Sequence, residues 1–444
     1  MSTELNHIYN MDCLDGMRQM EPNTIDSIVT DPPYALTTTA RWKDDTKFSQ
    51  NQSDVGKRFS KGFMGKEWDG KLPGIEVWQE CLRVAKPGAH MLAFGGTRTH
   101  HRLMCAIEDA GWEIRDTMGW LYGSGFPKSL NISKALDKVA GVEPVDRVPA
   151  TGVGFMNTAS GGTGRAENRT DGGMNETIIR LIIPEPTTDA AKQWNGWGTA
   201  LKPAWEPIIL CRKPLDGTVA NNVQKWGVGG INIDGGRVAY QSKEDYDNLC
   251  YNYKGGLERS TPETQESWNL HGGGWKLGKG ITIPDEQKGR FPANLIHDGS
   301  DEVLEPFPDS KGQCGDLRAG IPKQAYNCYG DYGQTTEMRK RNDSGSAARF
   351  FYCAKASKSE RGTDNKHPTV KPLALMRYLC KLITPKNGIV LDPFMGSGST
   401  GVAAYQEGFN FTGFELEKDS FETADLRIKN ANVQGKLGVW GLMQ

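Results

Sequence analysis

The spacing of apolar positions divides this chain into three stretches. Near the N-terminus, Leu14, Met17 and Met20 fall on one helical face behind Asp12, which is placed to cap that helix. The run Ile25-Asp26-Ser27-Ile28-Val29-Thr30 reads as a buried strand that stops at Asp31-Pro32-Pro33. Residues 35–73 are polar, rich in Gly, Lys and Asp, and aperiodic, so a long mobile loop is expected there. Helical spacing returns at Trp78, Cys81, Leu82 and Ala85, with Pro87-Gly88 as the expected stop before a strand at His90–Phe94. A further helix carries Leu103, Met104 and Ile107 and ends near Gly111; a strand follows around Trp112–Tyr122.

From about 125 to 350 the pattern changes. Glycine, asparagine and short strand-like runs such as Glu206–Leu210 alternate with irregular stretches, and no repeat of fixed period is present. Regular patterning resumes at about 366. It predicts a helix over Pro372–Ile383 with proline in its first turn, and a strand over Gly388–Asp392. A helix over Ser399–Glu407 closed by Gly408, a strand over Phe411–Leu416 and a last helix from about Asp419 follow. Alternating strand and helix at both ends argues for one α/β core in two pieces, 1–125 and 351–444, separated by a loop-rich insertion over 126–350.

Composition adds limits. A chain of 444 residues is long for one compact domain, which fits a core with a large insertion or two domains. Its 53 basic and 54 acidic residues exclude a wholesale basic coat, although a local basic groove remains compatible with nucleic acid. Nine cysteines without a C-x-x-C pair fit a reducing compartment better than a disulfide framework, and they show no zinc-ligand spacing. Without an apolar leader or a run long enough for a bilayer, the chain reads as soluble and cytoplasmic.

Two short segments carry chemistry. The first, Asp392-Pro393-Phe394-Met395-Gly396-Ser397-Gly398, lies between a predicted strand and a predicted helix that opens with Ser399 and Thr400. Glycine lets a backbone approach a nucleoside where a β-carbon would hold it off. The next strand ends at Glu415, placed to accept hydrogen bonds from ribose hydroxyls. Position 401 is glycine but 399 and 400 are not, so the dinucleotide G-x-G-x-x-G spacing is missing. A nucleoside cofactor without phosphates, S-adenosylmethionine, suits this loop better than NAD does. A tight turn that uses glycine for geometry alone is the competing explanation.

The second segment is Asp31-Pro32-Pro33-Tyr34. Such a tetrapeptide arises by chance in roughly a few of every thousand chains of this length. An aromatic amino group is a poor nucleophile because its lone pair is delocalised into the ring. If the Asp31 carboxylate accepts one N–H and the Pro32 carbonyl the other, the nitrogen can pyramidalise and aim its lone pair at an electrophile. The prolines stiffen the loop and leave no competing N–H. Tyr34 offers a face for a base taken out of its stack. A proline-stiffened turn is the bland alternative.

With both segments in place, the chain resembles the β class of S-adenosylmethionine-dependent DNA amino-methyltransferases, the N6-adenine/N4-cytosine family of bacteria and phages. The resemblance spans roughly the first 125 and last 80 residues and implies a doubly wound, mostly parallel Rossmann-like methyltransferase sheet, circularly permuted. It makes Asp31, Pro32, Pro33 and Tyr34 the catalytic motif, and residues 392–400 the cofactor loop. Asp12 then sits where a contact to the cofactor's adenine ring is expected. His367-Pro368-Thr369-Val370-Lys371-Pro372 resembles a further cofactor segment, in which Thr369 and Lys371 suit the cofactor's carboxylate. Leu201–Pro207 and Arg349–Lys355 resemble stretches common among family members. The resemblance also implies double-stranded DNA as substrate, target recognition within 126–350, and a homodimer. It leaves open whether a restriction endonuclease is paired with the chain.

Other candidates follow from this frame. Arg339, Lys340, Arg341 and Lys355 suit DNA phosphates, although a basic run is usually a solvated face. Trp68 is a candidate lid over a flipped base, a DNA contact, or a core residue. His367 fits loop organisation better than catalysis. No cysteine follows a proline, which removes the nucleophile motif of cytosine C5 methylation. Asp at position 31 leans toward N6 of adenine, since Ser is commoner there in the family's cytosine enzymes. N4-cytosine methylation and a catalytically silent DNA-binding regulator are the rival readings.

Overall fold

In the computed structural model, residues 4–35, 71–125, 129–142, 185–240, 289–310, 345–354 and 370–441 are described, together with 243 and 246. The chain divides into two compact units, one formed by Met1–Gly123 with Trp205–Gln444 and the other by Ser124–Ala204.

In the larger unit, strand β1 (His7–Tyr9) leads into helix α1 (Cys13–Arg18), capped by the Asp12 carboxylate, which accepts from the Leu14 and Asp15 N–H groups. Strand β2 (Ile25–Thr30) is buried at every position, as a central strand covered on both faces must be. Helix α2 (Ile75–Val84), strand β3 (Ala85–Phe94), helix α3 (His100–Asp109) and strand β4 (Glu113–Leu121) complete the first piece. The smaller unit holds helices α4 (Ile132–Val139) and α5 (Asp189–Gln193), each with a side-chain cap, from Asn131 and Thr188 respectively. Back in the larger unit come strand β5 (Trp205–Arg212), helix α6 (Val219–Trp226), strand β6 (Leu295–His297) and helix α7 (Asp301–Leu304). The short strands β7 (Asp309–Ser310), β8 (Gly345–Ser346) and β9 (Tyr352–Cys353) follow. Helix α8 (Leu373–Ile383), strand β10 (Ile389–Asp392), helix α9 (Ser399–Gln406), strand β11 (Asn410–Phe414) and helix α10 (Lys418–Gly441) end the chain.

Among the described residues, the main sheet has nine strands in the order β1-β11-β10-β2-β3-β5-β4-β6-β9. Of these described strands, β5 alone runs against the rest, pairing antiparallel with both β3 and β4. From β10 the chain winds outward to β11, and from β2 outward to β3, so the order reverses between β10 and β2. Ligands of open α/β sheets bind outside the carboxyl ends of the strands at such a reversal.

Successive side chains of a strand point to opposite faces, and the core divides accordingly. Leu92 and Phe94 of β3 join Val29, Ile208, Leu210 and Val390 beneath Leu375 and Leu379 of α8 and Ala403 of α9. Met91 and Ala93 join Ile28, Ile209, Cys211 and Leu391 beneath Met17, Trp78, Cys81, Leu103 and Ile107. Each large side chain buried in this way contributes about 1.5–3 kcal/mol before the entropy of ordering it.

Two sequence-based boundaries shift. Pro87-Gly88 does not end a helix: α2 stops at Val84, and β3 contains the dipeptide as an irregularity, its register with β2 moving from Ile25↔Ala85 to Ser27↔His90. Gly88 has φ +79°, and the Pro87 carbonyl accepts from Asn222 Nδ2 at 2.9 Å. A bulge is where a strand tolerates a residue without an N–H. The interruption of the core is also shorter than 126–350. β5 and β6 lie within the main sheet, because the apolar run Pro207–Cys211 is buried between β3 and β4. The separate unit is therefore only Ser124–Ala204.

Candidate active site

Asp392 ends β10 and fixes the glycine loop. Its carboxylate, only 2% exposed, accepts from Thr30 Oγ1 at 2.7 Å, Thr400 Oγ1 at 2.5 Å and the Phe394 N–H at 3.0 Å. One acid thus ties β2, β10 and the start of α9 together. Burial pushes its pKa up to about 6 in spite of these three donors. Gly396 and Gly398 have φ +55° and +83°, left-handed values that favour glycine. A β-carbon on Gly398 would lie 2.9 Å from Ala424 Cα, so α10 packs here only because the position is bare.

Several loop groups predicted to face the cofactor are occupied within the loop's own frame. Thr400 donates to Asp392, and Arg427 of α10 donates to the Ser397 carbonyl, to Ser397 Oγ at 2.9 Å and to Ser399 Oγ at 3.2 Å. Phe394 packs at 6.3 Å, centroid to centroid, from Trp78. Pro393, between Asp392 and Phe394 in the chain, is buried. Glu415 directly follows β11: one carboxylate oxygen accepts the Gly396 N–H at 2.7 Å and the other the Glu417 N–H at 2.8 Å. Burial raises this acid to about 7. Glu415 is thus tied directly to the glycine loop.

The tetrapeptide follows β2, the strand beside β10. The Tyr34 hydroxyl donates to Asp31 Oδ1 at 2.7 Å, and the Tyr34 carbonyl accepts from Thr99 Oγ1 at 2.7 Å. Lys371, just before α8, reaches the same place. Its Nζ lies 3.0 Å from Asp31 Oδ2, 2.9 Å from Glu206 Oε2 and 3.0 Å from the Tyr34 hydroxyl. It also lies 4.6 Å from the ring centre of Phe94 and 5.2 Å from that of Tyr34. Burial opposes a charge on this lysine, but Asp31 and Glu206 together outweigh it and hold the ammonium above the usual lysine range. Burial, then Asp31 and Glu206, keep the Tyr34 phenol well above its ordinary pKa.

Lys371, expected to suit the cofactor's carboxylate, is paired in the structure with Asp31 and Glu206. The physical reason is its burial, since a buried ammonium needs carboxylates within reach. Glu206 itself escaped notice. It is the second residue of β5, in register with Trp120 of β4, and the antiparallel insertion of that strand carries it to the cluster. A charged residue opening an otherwise apolar run was the available signal. Trp68, Arg339, Lys340, Arg341, Lys355, His367 and Thr369 lie outside the described residues.

Asp12, Glu415, the loop after Asp392 and the tetrapeptide thus follow β1, β11, β10 and β2, four strands side by side and all parallel. Acceptors for hydroxyls and a glycine loop occupy one part of this edge; a carboxylate with a rigid carbonyl beside it occupies the other. A model of the N6/N4 DNA methylase family matches residues 25–425, and the chain belongs to this family of DNA methyltransferases. It is 22% identical over 440 residues to the type II methyltransferase M.HindIII of Haemophilus influenzae, across 95% of this chain and 94% of that protein. With M2.DpnII of Streptococcus pneumoniae, also a type II methyltransferase, it shares 34% identity over 95 residues, 21% of this chain and 35% of the other. A crystal structure of an M1.HpyAVI–SAM complex superposes with a TM-score of 0.36 at 16% identity, covering 95% of this chain and 98% of that one. Among the described residues, no helix is long and apolar enough to cross a membrane.

Proposed function

We propose that the chain transfers a methyl group from S-adenosylmethionine to N6 of an adenine flipped out of duplex DNA. The observation that carries this reading is the Thr30–Asp392 bond, which sets the tetrapeptide beside the glycine loop at the sheet's reversal point. The residues present fit the cofactor. Glu415, held against the Gly396 N–H, offers a carboxylate to ribose hydroxyls, and Asp12 caps α1 just beyond the edge strand β1. Residues 392–400 contain no cation that would select a phosphate. When bound, S-adenosylmethionine supplies an electrophilic methyl on a sulfonium.

The chain's own part is to prepare the amine. Asp31 accepts one N–H and the Pro32 carbonyl the other, which draws the nitrogen lone pair out of ring conjugation and fixes its direction. The Tyr34 ring supports the extruded base. Asp31 at the first position favours adenine; N4 of cytosine is the alternative that the same clamp would serve. Arg339, Lys340, Arg341 and Lys355 are proposed to meet DNA phosphates, with target reading within 126–350 and a homodimer as the assembly. Trp68 completes the reading as a lid or DNA contact.

The test is incubation with isotopically labelled cofactor and DNA from a strain that does not methylate it, followed by digestion to nucleosides and mass spectrometry. Labelled N6-methyladenine is expected. Label only in N4-methylcytosine transfers the proposal to cytosine, and no label in DNA overturns it.

A further inference from the structure

Glu206 holds a position whose consequence lies in charge arithmetic. Lys371 is 7% exposed and carries two carboxylate partners, Asp31 and Glu206, at 3.0 and 2.9 Å. Were Asp31 its sole counter-ion, the pair would be neutral. The carboxylate that accepts the amine N–H would then face the reacting nitrogen with its charge cancelled. That is the wrong field for methyl transfer, because the nitrogen becomes positive as the new bond forms and stays so until it sheds a proton. With Glu206 present, two carboxylates share one ammonium and the cluster keeps a surplus negative charge. The Tyr34 hydroxyl spans the same two acids, 2.7 Å from Asp31 and 3.3 Å from Glu206, so Glu206 also steadies the ring next to the acceptor.

We propose that Glu206 is a positioning residue for methyl transfer: by taking a share of Lys371 and of the Tyr34 hydroxyl, it leaves Asp31 with net negative charge and a fixed orientation toward the amine. The inference rests on Asp31 being the acceptor described above. The position of Glu206 follows from the reversed strand β5, whose apolar residues lock it between β3 and β4. The acid is thereby held in place with its side chain 18% exposed, so that little of the solvent that would screen it reaches it.

The experiment compares wild type with Glu206→Gln, Glu206→Asp, Lys371→Met, the double variant Glu206→Gln/Lys371→Met, and Asp31→Ala. It measures kcat from labelled methyl incorporation into unmethylated genomic DNA and cofactor affinity by calorimetry. Glu206→Gln is expected to lower kcat about a hundredfold with cofactor affinity unchanged. Adding Lys371→Met restores the charge balance and is expected to recover about tenfold of that loss. A purely structural role predicts the reverse, since the double variant loses more native contacts. If Glu206→Gln does not fold, Glu206→Asp, which keeps the charge, should retain kcat within about tenfold, and the folded double variant should still exceed Lys371→Met. A Glu206→Gln kcat within about twofold of wild type, or a double variant slower than Glu206→Gln, overturns the proposal. Full activity of Asp31→Ala would instead sink the reading of the tetrapeptide.

Discussion

The Thr30 hydroxyl donates to the Asp392 carboxylate at 2.7 Å, bridging 362 positions of sequence. Thr30→Val keeps the shape and removes the donor. A hydrogen bond to a charged group is worth about 1.5–3 kcal/mol, so a loss of that order is expected in urea unfolding at pH 8. The pH dependence has a defined sign. Asp392 has a folded pKa of about 6, above the unfolded value, so its favourable contribution is present at low pH and fades as the pH rises toward 6. Losing Thr30 raises that pKa further, and the variant should be more destabilised at pH 8 than at pH 5.

Asp31→Ala removes the acceptor without touching the glycine loop. Methyl transfer should fall by at least about a hundredfold, while the cofactor's affinity by calorimetry stays at its wild-type value. Retained activity would show that the amine is held elsewhere.

The contrast between Asp31 and Glu206 shows what can be read from a sequence of this kind. Strands β2 and β10 announce themselves as apolar runs that end in Asp-Pro, because both are buried on two faces and stop at a residue without a donor N–H. The caps, the glycine turn and the helix after it are likewise local. Glu206 depends on a sheet order in which β5 enters backwards between β3 and β4, and no local pattern encodes that. Lys371 is visible as a residue with chemistry, yet the carboxylate that β5 brings to it is not, for the same reason. The bulge at Pro87-Gly88 was taken for a helix stop because both use the same punctuation.

Lys371→Met leaves Asp31 and Glu206 facing each other without their cation. Removing one partner of a largely buried ion cluster costs about 3–5 kcal/mol, and a loss of that order is expected in urea unfolding. An unchanged unfolding midpoint would mean that Lys371 does not hold this pair together.

Glu415 offers a second pH signature. Burial holds its folded pKa at about 7, and the ionised form is the stronger acceptor for a hydroxyl. Cofactor affinity should therefore weaken as the pH falls from 8 to 6 and level off above the pKa. Glu415→Gln should bind more weakly at pH 8 and lose this dependence. Calorimetry at three pH values checks both.

Leu121 at the end of β4 sits opposite Trp205 at the start of β5, and the compact unit Ser124–Ala204 lies between them in sequence. Its two ends thus attach where an ordinary hairpin would need only a few residues. The β4–β5 ladder asks of the intervening chain only that it begin and end at neighbouring places, so the length between Leu121 and Trp205 is not fixed by the pairing of these two strands.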